Sequence, residues 1–139
     1  MKPEQKMWSQ LKNSIGNSWH ATRHEDGLSK GIPDVSFGVF GSQGWIELKV
    51  ISDWPKDRKA IVQVKHFTKE QKSWIYTRGM IGGRCWLLLK IEKGNQWLLF
   101  NHKQALLVGT LDGKDLTQAA KRIWTGVPGD EFLTTITQG

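Results

Sequence analysis

Apolar residues recur along this chain with two different periods, and the switches between them divide it into elements. In residues 4–18, Trp8, Leu11 and Ile15 fall on one stripe with Met7 beside it, which predicts a helix with one buried face. Residues 19–24 predict a first strand. Residues 34–40 and 45–50 alternate with the period of two that a strand imposes. The small residues Gly41-Ser-Gln-Gly44 supply a turn that folds these two runs into an antiparallel hairpin. Thr68 is a natural N-cap for a helix over 69–78, with Gly79 as its stop. Residues 85–91 and 96–100 read as strands around a turn at 92–95. Short helices over 102–108 and 116–124 follow, then a Thr- and Gly-rich tail over 127–139, expected at the sheet edge or in a dimer contact. Trp8, Trp74, Trp86 and Trp97 lie in apolar periodic runs and are expected in the core. The sum is one α/β domain over all 139 residues, with a mixed central sheet flanked by helices.

The same alternation assigns sides. Ile46, Leu48 and Val50 form the core-facing row of their strand, which leaves Trp45, Glu47 and Lys49 together on the other face. Pairing the hairpin from its turn brings Asp34, at the far end of the first strand, close to Glu47 and Lys49. Two carboxylates and an amine then converge, a set suited to phosphodiester hydrolysis. Asp34 and Glu47 are hard oxygen ligands, the Leu48 carbonyl can complete a shell, and Mg²⁺ typically takes one or two carboxylates while keeping waters. Lys49 would orient a water or offset charge developing on phosphate. The plain alternative is a hairpin whose exposed face carries a weak Glu–Lys pair.

These residues resemble a known pattern, that of the PD-(D/E)XK nuclease superfamily, with Pro33-Asp34 and Glu47-Leu48-Lys49 as its signature. Gly31-Ile32-Pro33-Asp34, the Glu-x-Lys strand, the downstream Thr68-Lys-Glu-Gln71-Lys-Ser-Trp74 and the Gly82-Gly83 turn before an apolar strand look closest to its small virus-type replication-repair nucleases of phages. The resemblance covers residues 4–91. It implies a restriction-endonuclease-like core and a Mg²⁺-dependent DNA endonuclease, with Mn²⁺ able to substitute. It further implies a branched or four-way-junction substrate met in phage replication, recombination or repair. Asp34 and Glu47 would be the metal ligands, Lys49 the catalytic amine and Gln71 an accessory residue facing the site.

Other candidates have two readings each. Glu4 shares the stripe of the first helix, where the superfamily often places a further metal-site acid, but an acid in a first helical turn also complements the helix dipole. Glu25 and Asp26 are rival third carboxylates in what reads as a turn. Thr68 and Gln71 form a capping box, which explains Gln71 without any site. Residues 50–67 interleave Trp54 with Lys56, Arg58, Lys59 and Lys65, either to grip a DNA backbone or as a solvated loop.

Composition narrows the field further. Twenty Lys and Arg against 13 Asp and Glu give a net charge of +7, the electrostatic footprint of a phosphate-backbone binder. A lone Cys85 excludes an intramolecular disulfide and suits a reducing cytoplasm, that of the host cell for a phage-encoded chain. No apolar run reaches membrane-spanning length, so no membrane partner is expected. His20 and His24 sit in a strand-like run, Cys85 has no zinc-type spacing to another ligand, and no nucleophile triad or phosphate-cradling glycine loop occurs. A chain of this size has room for one site, so cutting two strands together favours a homodimer. The rival expectations are a sequence-specific endonuclease and a non-catalytic nucleic-acid-binding module on the same fold.

Overall fold

The structure, a computed structural model, describes residues 1–24 and 31–138. Helix α1 (Pro3–Ile15) starts with proline, whose missing N–H costs nothing in a first turn, and stops at Gly16, which has φ +65°. Strands β1 (His20–Arg23), β2 (Val35–Val39) and β3 (Ser42–Ile51) follow, then helix α2 (Lys69–Met80), β4 (Arg84–Ile91) and β5 (Gln96–Phe100). A 3-10 turn at Gln104–Leu107, helix α3 (Gly113–Ala119), strand β6 (Arg122–Thr125) and helix α4 (Glu131–Thr137) complete the chain. The strands form one mixed sheet in the order β1-β2-β3-β4-β5-β6, antiparallel throughout except for the parallel pair β3–β4. The expected α/β class, a mixed sheet flanked by helices, is the one observed.

That parallel pair decides where the site lies. Parallel neighbours require a long crossover, and here residues 52–68 and α2 supply it, laying α2 across one face of β3 and β4. Cys85, Leu87, Leu89 and Ile91 point up into this layer with Ile75, Val62, Ala105 and Leu116. The opposite face carries Ile46, Leu48, Trp86 and Leu88 beneath Met7, Trp8, Leu11 and Ile15 of α1 and Phe132, Leu133 and Ile136 of α4. Strand β3 is therefore buried on both faces, as strands in parallel pairs commonly are.

Several local expectations need correction. The hairpin turn sits at Phe40-Gly41, not 41–44, because both residues take positive φ (53° and 73°), the backbone of a two-residue turn matched to strand twist. Gly44 is instead inside β3, where a Cβ would lie 2.4 Å from the Arg84 carbonyl oxygen. Helix α2 passes through Gly79, whose bare Cα accepts the His102 ring. Residues 116–124 are not one helix: Ala120 turns to extended backbone after α3 and the chain enters β6. The tail holds α4, whose Phe132 and Ile136 are fully buried, while the Ile136 carbonyl accepts the Trp86 indole N–H at 3.0 Å. Truncating a buried Phe such as this costs about 3–5 kcal/mol. Trp8, Trp86 and Trp97 are buried as expected, whereas Trp74 is only half-buried. Among the described residues no helix is long and apolar enough to cross a membrane.

Candidate active site

Register places the two acids face to face. Val35 pairs with Ile46 in the β2–β3 ladder, so Asp34, one step before β2, stands opposite Glu47. Asp34 Oδ2 accepts the Leu48 amide at 3.2 Å, and its main-chain oxygen accepts the His24 amide at 2.6 Å. A strand residue directs its amide and carbonyl to the same edge, so the Leu48 carbonyl leaves β3 on the Asp34 side. The approach to Asp34 is set by Gly31, with φ +84° and the Glu70 carbonyl oxygen only 2.8 Å from where a Cβ would be. Only glycine fits both the backbone conformation and the contact with the first turn of α2.

The second acid is almost sealed. Glu47 is 1% exposed and Lys49 5%, because the crossover covers the face that the hairpin alone left open to solvent. The weak solvated Glu–Lys pair is thereby replaced by a buried one, with Lys49 Nζ 3.3 Å from Glu47 Oε2. The same oxygen receives Gln71 Nε2 at 3.3 Å. Burial, reinforced by the charge of Asp34 and opposed by that of Lys49, pushes the Glu47 carboxyl up to about 8. Its other oxygen, Oε1, is buried and has no hydrogen-bond partner among the described residues. A buried acceptor left unsatisfied is costly, and one beside a second carboxylate fits a hard cation.

Lys49 is anchored by a residue whose part in the site was not legible in the sequence. Its ammonium donates to the His66 carbonyl at 2.9 Å, and His66 takes φ +66°, an uncommon backbone for a non-glycine residue. An ammonium has three donors, so contacts to Glu47 and His66 leave one for a further acceptor. Gln71 resolves its two readings by serving both. Its Oε1 accepts the Thr68 amide at 2.9 Å and its own amide reaches Thr68 Oγ1 at 3.1 Å, completing the capping box, while Nε2 turns to Glu47.

Glu4 is half-buried in the first turn of α1, the helix that packs on the Ile46–Leu48 face. Among the described residues no group of three or more His, Cys, Asp and Glu side chains is arranged to hold a metal, so Glu4 is not drawn into one with Asp34 and Glu47. Glu25 and Asp26 lie outside the described residues. Two carboxylates remain a sufficient protein contribution for Mg²⁺, which keeps several waters, and the donor set of Asp34, Glu47 and the Leu48 carbonyl fits such an ion. Lys56, Arg58, Lys59 and Lys65 are exposed on the crossover, while Trp54 in the same loop is packed, donating to Gln96 Oε1 at 3.0 Å. The crossover that carries these basic side chains also carries His66, whose carbonyl accepts the Lys49 ammonium.

Compared with known proteins, the chain matches no family model and no curated sequence. Its fold is similar to that of solved proteins at low sequence identity. One is Hjc of Archaeoglobus fulgidus, a Holliday junction resolvase from an archaeal hyperthermophile, at TM-score 0.50 and 16% identity over 74% of this chain and 75% of that one. Another is a bacterial homing endonuclease, at TM-score 0.48 and 12% identity over 91% of this chain and 72% of that one. At 16% identity the likeness to the resolvase is one of fold alone, of the restriction-endonuclease-like type.

Proposed function

We propose that the protein is a Mg²⁺-dependent DNA endonuclease that acts on branched DNA, four-way junctions included, with Mn²⁺ as a competent substitute and a homodimer as the working assembly. The observation that carries this reading is the facing pair Asp34–Glu47, with Glu47 Oε1 unpartnered among the described residues, next to the buried Lys49 ammonium. A divalent cation bound there supplies Lewis-acid polarisation of the phosphoryl group and a lowered pKa for water. Asp34 and Glu47 would hold the cation and the Leu48 carbonyl would add a neutral oxygen, while Lys49 would direct its remaining donor at a water or phosphate oxygen as charge develops. Gln71 keeps the Glu47 carboxyl oriented. Phosphate contacts from Lys56, Arg58, Lys59 and Lys65 position the backbone without reading bases.

Preference for branches is supported by the Holliday-junction-resolving protein of the same fold and by the form of the basic surface. Base reading in a major groove calls for an exposed helix or ribbon with bidentate donors, and here the crossover offers an irregular basic loop. The place of such an enzyme would be phage replication, recombination or repair, in the cytoplasm of the host cell. The test is an activity panel of single-stranded, duplex, flap and four-way DNA of matched sequence with Mg²⁺, Mn²⁺ or no metal. Metal-dependent cleavage, strongest on the branched substrates, is expected. Binding without cleavage under every condition would leave only a nucleic-acid-binding module, and cleavage confined to one duplex sequence would make it a sequence-reading enzyme.

A further inference from the structure

The face of β3 that carries Lys49 and Glu47 continues to Trp45, about 6.7 Å along the strand from Glu47. Cover ends there. Glu47 and Lys49 are sealed under α2, whereas Trp45 is half-exposed, as is Trp74 on the helix above it. The two indoles meet edge to face, 5.4 Å between centroids at 74°. The exposed His24 ring lies 5.5 Å from Trp45, held by a 2.8 Å hydrogen bond between its Nε2 and the Ser36 hydroxyl. On the other side the Arg78 guanidinium lies 4.4 Å over the Trp74 ring. Aromatic and cationic groups thus run without a break from the Asp34 end of the hairpin along α2.

Open space borders this ledge on both sides. A cleft of ≈ 310 Å³ is lined by Trp45, Arg78 and Arg84, and a groove of ≈ 630 Å³ along α2 is lined by Lys69, Trp74, Arg78 and Ile81. Among the described residues no carboxylate pairs with Arg78 or Arg84. Packing alone accounts for the inner edges of the indoles, which touch the core. It does not account for two half-exposed indoles beside a guanidinium that pairs with no carboxylate among the described residues. Aromatic rings beside arginine recognise nucleobases joined by phosphate: stacking on aromatic rings tolerates any base, and guanidinium planes stack bases as well. A base inside a duplex has both faces covered by its neighbours, so only an unpaired one can use the ledge.

We propose that Trp45, Trp74 and Arg78, with His24 at the near end, form a stacking site for unpaired bases adjoining the scissile phosphate. The substrate class is then DNA with unpaired nucleotides at the branch, as in a flap, gap or opened junction. The inference rests on the nuclease reading of the neighbouring carboxylates.

The test measures anisotropy of a labelled branched DNA in Ca²⁺, with a short unpaired stretch at the branch and with the same stretch made abasic, so that phosphates are kept and bases removed. Wild type, Trp74→Leu and Arg78→Gln are compared, and Mg²⁺-dependent cleavage of the intact substrate is scored separately. Removing the bases should weaken wild-type binding about tenfold or more. Trp74→Leu should lose a similar factor on intact DNA and become indifferent to the abasic change, with Arg78→Gln between them. If Trp74→Leu does not fold, Arg78→Gln, a near-isosteric change at a half-buried position, is judged by the same criterion of reduced base dependence. Wild-type affinities within about twofold for the two DNAs, or full base dependence retained in the folded variants, would overturn the proposal. Cleavage without base dependence contradicts the ledge alone, and base dependence without cleavage contradicts the nuclease reading alone.

Discussion

Gln71 Nε2 donates to Glu47 Oε2 at 3.3 Å while the other end of the same amide caps α2 through the Thr68 amide at 2.9 Å. One side chain therefore ties the start of a helix to a buried acid on the central strand. Gln71→Ala breaks both links, and Gln71→Glu keeps the cap but brings a like charge to Glu47. Losing the Gln71 half of the capping box, with Thr68 Oγ1 still accepting the residue-71 main-chain amide, should cost about 0.5–1 kcal/mol in urea denaturation. Gln71→Glu should retain most stability and instead weaken cleavage. Equal stability and equal cleavage for both variants would show that the contact has no role.

A second prediction concerns pH. Glu47 rises from an ordinary 4.5 to about 8 chiefly by burial, so in the metal-free protein it stays protonated where the unfolded chain has already lost that proton. Its contribution to stability is full below about 4.5, declines as pH rises, and is gone by about 8. On the proposed reading Mg²⁺ would bind the ionised form and have to displace this proton, so the rise in Tm on adding Mg²⁺ should be larger at pH 8.5 than at pH 6. Glu47→Gln should flatten both trends. Thermal melts across this range check it, and a metal-induced shift that grows toward acid would contradict it.

Gly31 offers a purely backbone test. Alanine there meets the Glu70 carbonyl and a positive φ together. Gly31→Ala should destabilise by more than about 1 kcal/mol, and because Asp34 lies three residues on, it should also weaken Mg²⁺ binding in calorimetry. Retention of both would mean that the approach to Asp34 is not rigidly set.

What was legible in the sequence follows from how local each relationship is. Asp34 and Glu47 belong to one hairpin, so alternation and pairing from a turn brought them together even though that turn lies at Phe40-Gly41. The Thr68–Gln71 box spans four consecutive positions and was equally readable. Burial of Glu47 and Lys49 was not, because the cover comes from a crossover whose placement depends on β3 and β4 pairing in parallel. The His66 carbonyl also left no trace, since a positive φ in a histidine carries no signature of residue type. The C-terminal misreading has a different cause. Ala119, Ala120, Ile123 and Trp124 keep helical spacing, yet Trp124 turns to pack on Phe132 of α4, a tertiary contact that overrides local preference.

The basic crossover makes a prediction about salt. Lys56, Arg58 and Lys59 are exposed, so replacing all three with Glu should weaken DNA binding across sequences. The slope of log affinity against log salt should fall by roughly one unit for each phosphate that is no longer neutralised. Binding isotherms from low to moderate salt measure this, and an unchanged slope would reduce the loop to solvated surface.

Catalysis by the facing carboxylates is probed most sharply by single-turnover cleavage of a branched DNA across a Mg²⁺ titration. Wild type, Asp34→Asn, Glu47→Gln and Lys49→Ala are compared, each checked for folding by circular dichroism. Wild type should cleave in a metal-dependent manner, and Asp34→Asn and Glu47→Gln should show nothing above background. Lys49→Ala should retain a near-normal Mg²⁺ midpoint with a rate lower by roughly 10²–10³-fold. Undiminished cleavage by folded Asp34→Asn and Glu47→Gln proteins, or wild-type cleavage that persists without any divalent ion, would contradict the assignment of this pair as the metal-binding acids.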